Sequence, residues 1–139
     1  MSYAIEDLAP GMSASFAKTV SEADVAAFGA ISGDTNPVHF DETFARTTPF
    51  KGRIAHGVLT ASYISTVLGM EMPGPGTIFL GVNIRFKAPV RIGDTVRATC
   101  TVREILRERR RVVFDCACRV GETVVLEGEA TVMPPQKKV

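Results

Sequence analysis

Apolar positions along this chain change their period once, after Gly76, and the change separates a mainly helical first half from a stranded second half. Ile78, Leu80, Val82, Ile84 and Phe86 alternate with Phe79, Gly81, Asn83, Arg85 and Lys87, which is the twofold period of a strand. Three more strands are predicted at about 94–105, 110–120 and 123–132. In the middle one, Val112, Phe114, Cys116, Cys118 and Val120 share a face, and Val113, Asp115, Ala117 and Arg119 form the other.

The first half holds one strand, near Ala14–Val20, and then helices. Ser21-Glu22-Ala23-Asp24 is a helix start, with Ser21 as the cap and acidic residues in the first turn; Val25, Ala26, Phe28 and Ile31 follow, and Gly33 ends the helix. A second short helix is expected at Asp41–Ala45, followed by a turn-rich stretch from Thr48 to Arg53. From Gly57 to Leu68 there is no charged side chain, and a helix apolar nearly all round is a buried one, with Gly69 as its expected stop. About 12 residues cannot cross a bilayer, which needs about 20, so this is the central helix of a core. Met72-Pro73-Gly74-Pro75-Gly76 then breaks the chain. The order predicts an α+β fold in which an antiparallel sheet wraps a buried helix.

At 139 residues and 45% hydrophobic content the chain reads as one domain spanning 1–139, with Pro134 to Val139 as a loose tail. A net charge of +1 provides no global field for nucleic acid. No apolar run suits a membrane span and no secretory leader is recognisable at Met1–Asp7, so a cytoplasmic location is expected. Cys100, Cys116 and Cys118 are an odd set placed inside an apolar alternation, and they are expected to be reduced core residues.

Candidate chemistry is concentrated in Gly33-Asp34-Thr35-Asn36-Pro37-Val38-His39-Phe40-Asp41, which holds one of only two histidines. Asp34 and His39 are five apart, and on a continuous helix they would point about 140° from each other. Pro37 lacks a backbone donor and pushes Asn36 out of the helical region, so the segment is expected to be a bent loop that lets the carboxylate and imidazole converge. The other histidine, His56, stands just before Gly57 and the uncharged helix. Backbone N–H groups at that helix start are unpaired, and the positive end of the dipole faces outwards.

Ser32-Gly33-Asp34-Thr35-Asn36-Pro37-Val38-His39-Phe40-Asp41, with Phe44-Ala45 and Ile54-Ala55-His56-Gly57-Val58-Leu59, resembles the (R)-specific enoyl-CoA hydratases of the MaoC-like group. The resemblance runs over nearly the whole chain. It implies a hotdog fold and a homodimer that reversibly adds water to a trans-2-enoyl thioester to give the (R)-3-hydroxyacyl product. It also implies that Asp34 and His39 are the catalytic dyad, Gly57 the backbone oxyanion donor, and Ser65 a helix serine lining the site. Relatives acting on acyl-carrier-protein substrates share the motif, so a carrier protein is a further candidate partner.

The residues suit that chemistry. A carboxylate and an imidazole facing one water can hold it, accept a proton and return one, and no metal or organic cofactor is required. Ala61, Ser65 and Leu68 follow Gly57 at i+4, i+8 and i+11 and are candidate walls of an acyl pocket. Asn36 is expected either to hold the loop through side-chain to backbone bonds or to touch substrate, and His56 either to shape the oxyanion turn or to touch substrate. Arg103 to Arg111, with five arginines and two glutamates, reads as a solvated turn or as a grip on coenzyme A phosphates or an acidic carrier; Arg85 and Lys87 are rival contacts. A 3-hydroxyacyl-carrier-protein dehydratase, a hotdog acyl-CoA thioesterase and a non-catalytic acyl-thioester-binding subunit are the competing functions.

Overall fold

The computed structural model describes residues 2–137. Its sheet has five antiparallel strands: β1 (Ser13–Thr19), β2 (Ile78–Phe86), β3 (Thr95–Leu106), β4 (Arg111–Val120) and β5 (Thr123–Met133), in the spatial order β1-β3-β4-β5-β2. The helices are α1 (Glu22–Ser32), the short turns α2 (Pro37–Phe40) and α3 (Glu42–Ala45), and α4 (Gly57–Thr66). The sheet curves around α4, as the sequence pattern and the hotdog resemblance imply.

The alternation along β3 and β4 explains the wrapping. Val96, Ala98, Cys100 and Val102, with Val112, Phe114, Cys116 and Cys118, line the inner face and are buried. From α4 and its continuation, Leu59, Tyr63, Ile64, Val67 and Leu68 join the same core. Each large apolar side chain buried this way stabilises the fold by about 1.5–3 kcal/mol. The three cysteines are free and buried, as expected, and Cys100 is paired across strands with Cys116. Burial pushes the Cys118 thiol up to about 12, and Cys116 together with burial raises Cys100, so both stay protonated and unreactive.

Two expectations change. Gly69 does not stop the central helix, which runs on through a π-helical segment, Val67–Glu71, capped by Met72. Gly69 lacks the left-handed backbone of a terminating glycine, which occurs instead at Gly74 and Gly76. The segment after Asn36 is a single helical turn rather than an open loop, because proline's fixed φ suits the first position of a helix. Asn36 itself does leave the helical region, at φ −50° and ψ 125°. The tail is held at its start, where Pro134 is buried and its carbonyl accepts from Arg110 Nη2 at 3.3 Å; Lys138 and Val139 lie outside the described residues.

In the charged cluster near the β3–β4 turn, Arg103, Arg110 and Arg111 make side-chain contacts. Arg103 bridges Asp115 (2.8 Å) and Glu129 on the outer sheet face, and Arg111 donates to the Arg109 carbonyl. Among the described residues no helix is long and apolar enough to cross a membrane.

Candidate active site

The site starts from the end of α1. Ser21 and Asp24 form a reciprocal capping box, and the helix stops at Gly33, whose φ of 79° is left-handed. The chain then turns on side-chain bonds: Asn36 N–H donates to Asp34 Oδ1 (3.2 Å), and Val38 N–H donates to Asn36 Oδ1 (3.2 Å). Asn36 thus caps the turn that carries His39. Beneath it, Gly29 is packed so closely on Phe40 that a Cβ there would lie 2.5 Å from the ring.

His39 is buried, and its Nδ1–H donates to the Ile54 carbonyl at 2.8 Å, a polarity fixed because a carbonyl can only accept. Nε2 then carries the lone pair. Burial holds the imidazole below its ordinary pKa of 6.5, with the Ile54 bond and the Asp34 charge opposing and His56 assisting. Asp34 is exposed and near it: Asp34, His39 and His56 each place a donor atom within 4.8 Å of the other two. No hydrogen bond joins the Asp34 carboxylate to the His39 ring.

His56 is 1% exposed and lies against the His39 ring, with centroids 3.8 Å apart and planes 28° from parallel. Phe28 and Phe40 pack around it. Its Nε2–H donates to the Asp34 carbonyl at 2.9 Å, while its Nδ1 is buried without a partner. A cation among Asp34, His39 and His56 would find one nitrogen of each ring already committed to a carbonyl.

Gly57 follows at the first position of α4 and is exposed, and among the described residues no hydrogen bond uses the N–H groups of Gly57 or Val58. Gly57 directly follows His56, whose ring stacks on His39. The Phe86 ring lies close beside Gly57, and a Cβ on this residue would stand 2.7 Å from the ring. Beside them lies a cavity of about 410 Å³ walled by Phe50, Ile54, Val58, Phe86 and Val125, with Lys87 among its lining residues. Lys87, which also pairs with Glu127 at 3.7 Å, lines the same cavity as Gly57, whereas Arg85 lines the outer sheet face with Arg103. Ala61 is half-buried and Ser65 exposed on α4; Leu68 is 1% exposed and belongs to the core.

Sequence reasoning missed two contributors. Arg53 Nε donates to the His39 carbonyl (2.7 Å) while its Nη atoms hold Glu22, and the Phe86 ring lies close beside Gly57. Neither has a local signature, since each acts on a residue distant in sequence.

Three comparisons with known proteins point to one family. Residues 7–128 match the family model described as MaoC like domain. The chain is 54% identical over 132 residues to an (R)-specific enoyl-CoA hydratase of Rhodospirillum rubrum, covering 95% of this chain and 92% of that one. It is 49% identical to a 3-hydroxybutyryl-CoA dehydratase of Methylorubrum extorquens, over 96% and 85% of the two chains. Its fold superposes on the unliganded R-hydratase PhaJ1 of Pseudomonas aeruginosa with a TM-score of 0.91 and 39% identity, covering 99% of this chain and 89% of that one. With residues 7–128 matched by the family model and 54% identity to an (R)-specific enoyl-CoA hydratase over most of both chains, the chain belongs to the MaoC-like domain family.

Proposed function

We propose that this chain is an (R)-specific enoyl-CoA hydratase, adding water reversibly to trans-2-enoyl-CoA. The observation that carries the reading is the approach of Asp34 and His39 to one another beside the free N–H groups at the start of α4. In this reading a water sits between the Asp34 carboxylate and His39 Nε2. As its oxygen adds to C3, the dyad takes one proton, and the enolate oxygen is held by the N–H of Gly57. The proton taken from water is the one C2 needs, so the dyad ends the cycle in its starting state. The reaction is redox-neutral and its balance calls for no cofactor.

The division of labour follows from the tautomer. Neutral His39 can accept at Nε2 while Nδ1–H stays on Ile54, which suits it to position the water and share its proton with Asp34. One oxyanion donor is worth about 2.7–4 kcal/mol of transition-state stabilisation, comparable with the general acid–base term of about 10²–10⁴-fold. The cavity beside Gly57 and Phe86, with Lys87 on its lining, is suited to the thioester arm.

Purified protein mixed with crotonyl-CoA should consume the enoyl thioester absorbance and yield the (R)-3-hydroxy product by chiral analysis. No change with any chain length would overturn the reading, and release of free thiol would assign a thioesterase instead. Comparing coenzyme A and carrier-protein thioesters identifies the carrier.

The working unit of this reading is a homodimer. Ile78, Phe79, Leu80, Val82 and Phe86 are exposed along β2, which stands at a sheet edge, and Val58 and Met70 add apolar surface from the central helix region. An open apolar edge favours a second chain, and a twofold pair is the simplest closure. Analytical ultracentrifugation with activity measured on the single chain type distinguishes a homodimer from an obligate mixed pair.

A further inference from the structure

We propose that Arg53 is a positioning residue for His39, whose turn it ties to the start of α1 so that the imidazole keeps its place beside Asp34. This rests on the reading of His39 as a working group of the site.

The side chain of Arg53 is only 18% exposed and all three guanidinium nitrogens are used. Nη1 and Nη2 take the two oxygens of Glu22 at 2.7 and 3.0 Å, and Nε donates to the His39 carbonyl at 2.7 Å. The fork fits a carboxylate along one edge and leaves Nε for a separate acceptor, which a lysine ammonium cannot reproduce. Arg53 also holds the Glu22 carboxyl below its ordinary range, so the pair stays ionised at neutral pH.

Its target is exposed to disorder by its own brevity. A helix of four residues leaves most of its carbonyls without internal donors, and α2 is such a turn. Arg53 and its neighbour supply what is missing: Ile54 N–H donates to the Val38 carbonyl at 3.3 Å, and the Ile54 carbonyl accepts from His39 Nδ1. His39 is thus gripped at its ring by Ile54 and at its carbonyl by Arg53. The segment making the grip is itself anchored, because Arg91 donates to the carbonyls of Gly52 (3.2 Å) and Phe50 (2.6 Å). The charged or titratable groups around His39 are Asp34 from the loop after α1, His56 from the start of α4, and Arg53 on the carbonyl side with Glu22 beyond it.

Two histidines make the test direct, because each imidazole C–H signal can be followed by proton NMR and His39→Gln identifies which is which. In the unaltered protein the His39 midpoint should lie below 6.5. In Arg53→Ala the loosened turn admits water, so the midpoint should move up toward 6.5, while kcat for enoyl thioester hydration falls at least about tenfold and KM stays within about twofold. Glu22→Gln should move both readouts the same way by less, and it decides the matter if Arg53→Ala does not fold. A folded variant with an unmoved midpoint overturns the proposal, whether or not kcat falls. If the unaltered protein hydrates no enoyl thioester, the hydratase reading fails, and the titration still decides the role of Arg53.

Discussion

The rings of His39 and His56, the only histidines in the chain, are stacked with their centroids 3.8 Å apart. Each ring also donates to a backbone carbonyl, His39 to Ile54 and His56 to Asp34. The stack therefore joins three pieces of backbone, and the position of Asp34 depends on a histidine that is itself out of reach of solvent.

Asp34→Asn and His39→Gln should each lower turnover by about 10²–10⁴-fold, the range of general acid–base assistance. Far-ultraviolet circular dichroism should be unchanged for Asp34→Asn, because that side chain is exposed. Near-native turnover in either variant would remove the dyad from the mechanism.

Acid should destabilise the fold through His39. The unfolded imidazole binds its proton near 6.5, but the folded one, held lower chiefly by burial, resists. Between 6.5 and the lower folded value the unfolded state binds more protons, so stability is full above 6.5 and is lost as pH falls through that window. Urea midpoints measured from pH 7.5 to 5 should show the decline, and His39→Gln should flatten part of it.

Gly57→Ala should act on activity more than on stability. Its Cβ would meet the Phe86 ring at 2.7 Å, and that ring is 56% exposed and able to move aside. Moving it disturbs the surface beside the proposed oxyanion donor, so kcat should drop at least about tenfold with a small change in urea midpoint, if one donor of typical strength is displaced. Pairing the change with Phe86→Leu should recover part of the loss in a double-mutant cycle.

Gly29→Ala is the opposite kind of change. The new Cβ would stand 2.5 Å from Phe40, whose ring is packed between α1 and His56. Overpacking of this sort costs about 1–3 kcal/mol, so chemical denaturation should register it directly. Turnover should fall too, since Phe40 is in the same helical turn as His39.

Features written in local pattern were legible. Alternation located β2 to β5 to within a residue or so, Ser21 and Gly33 bounded α1, and the uncharged run from Gly57 marked the buried helix. The D-x-N-P-x-H spacing also anticipated that Asp34 and His39 would meet. Gly69 misled because its ordinary backbone allowed the helix to continue through a π turn, a choice set by packing rather than by the residue. Arg53 and Phe86 were invisible for a related reason: Arg53 reaches Glu22 across 31 positions, and such partners carry no mark in the intervening sequence. Leu68 matched the helical spacing from Gly57, yet its side chain went to the core.

Phe86 lies close beside Gly57 and stands at the end of β2, whose other side has no neighbouring strand among the described residues. Under the proposed pairing, a second chain arriving at that edge would set the angle of the ring and hence the shape of the surface beside the proposed oxyanion donor. Catalytic competence would then depend on how much protein is present. Specific activity should be constant in concentrated solution and decline on dilution below the dissociation constant of the pair, at the same concentration where sedimentation reports separate chains.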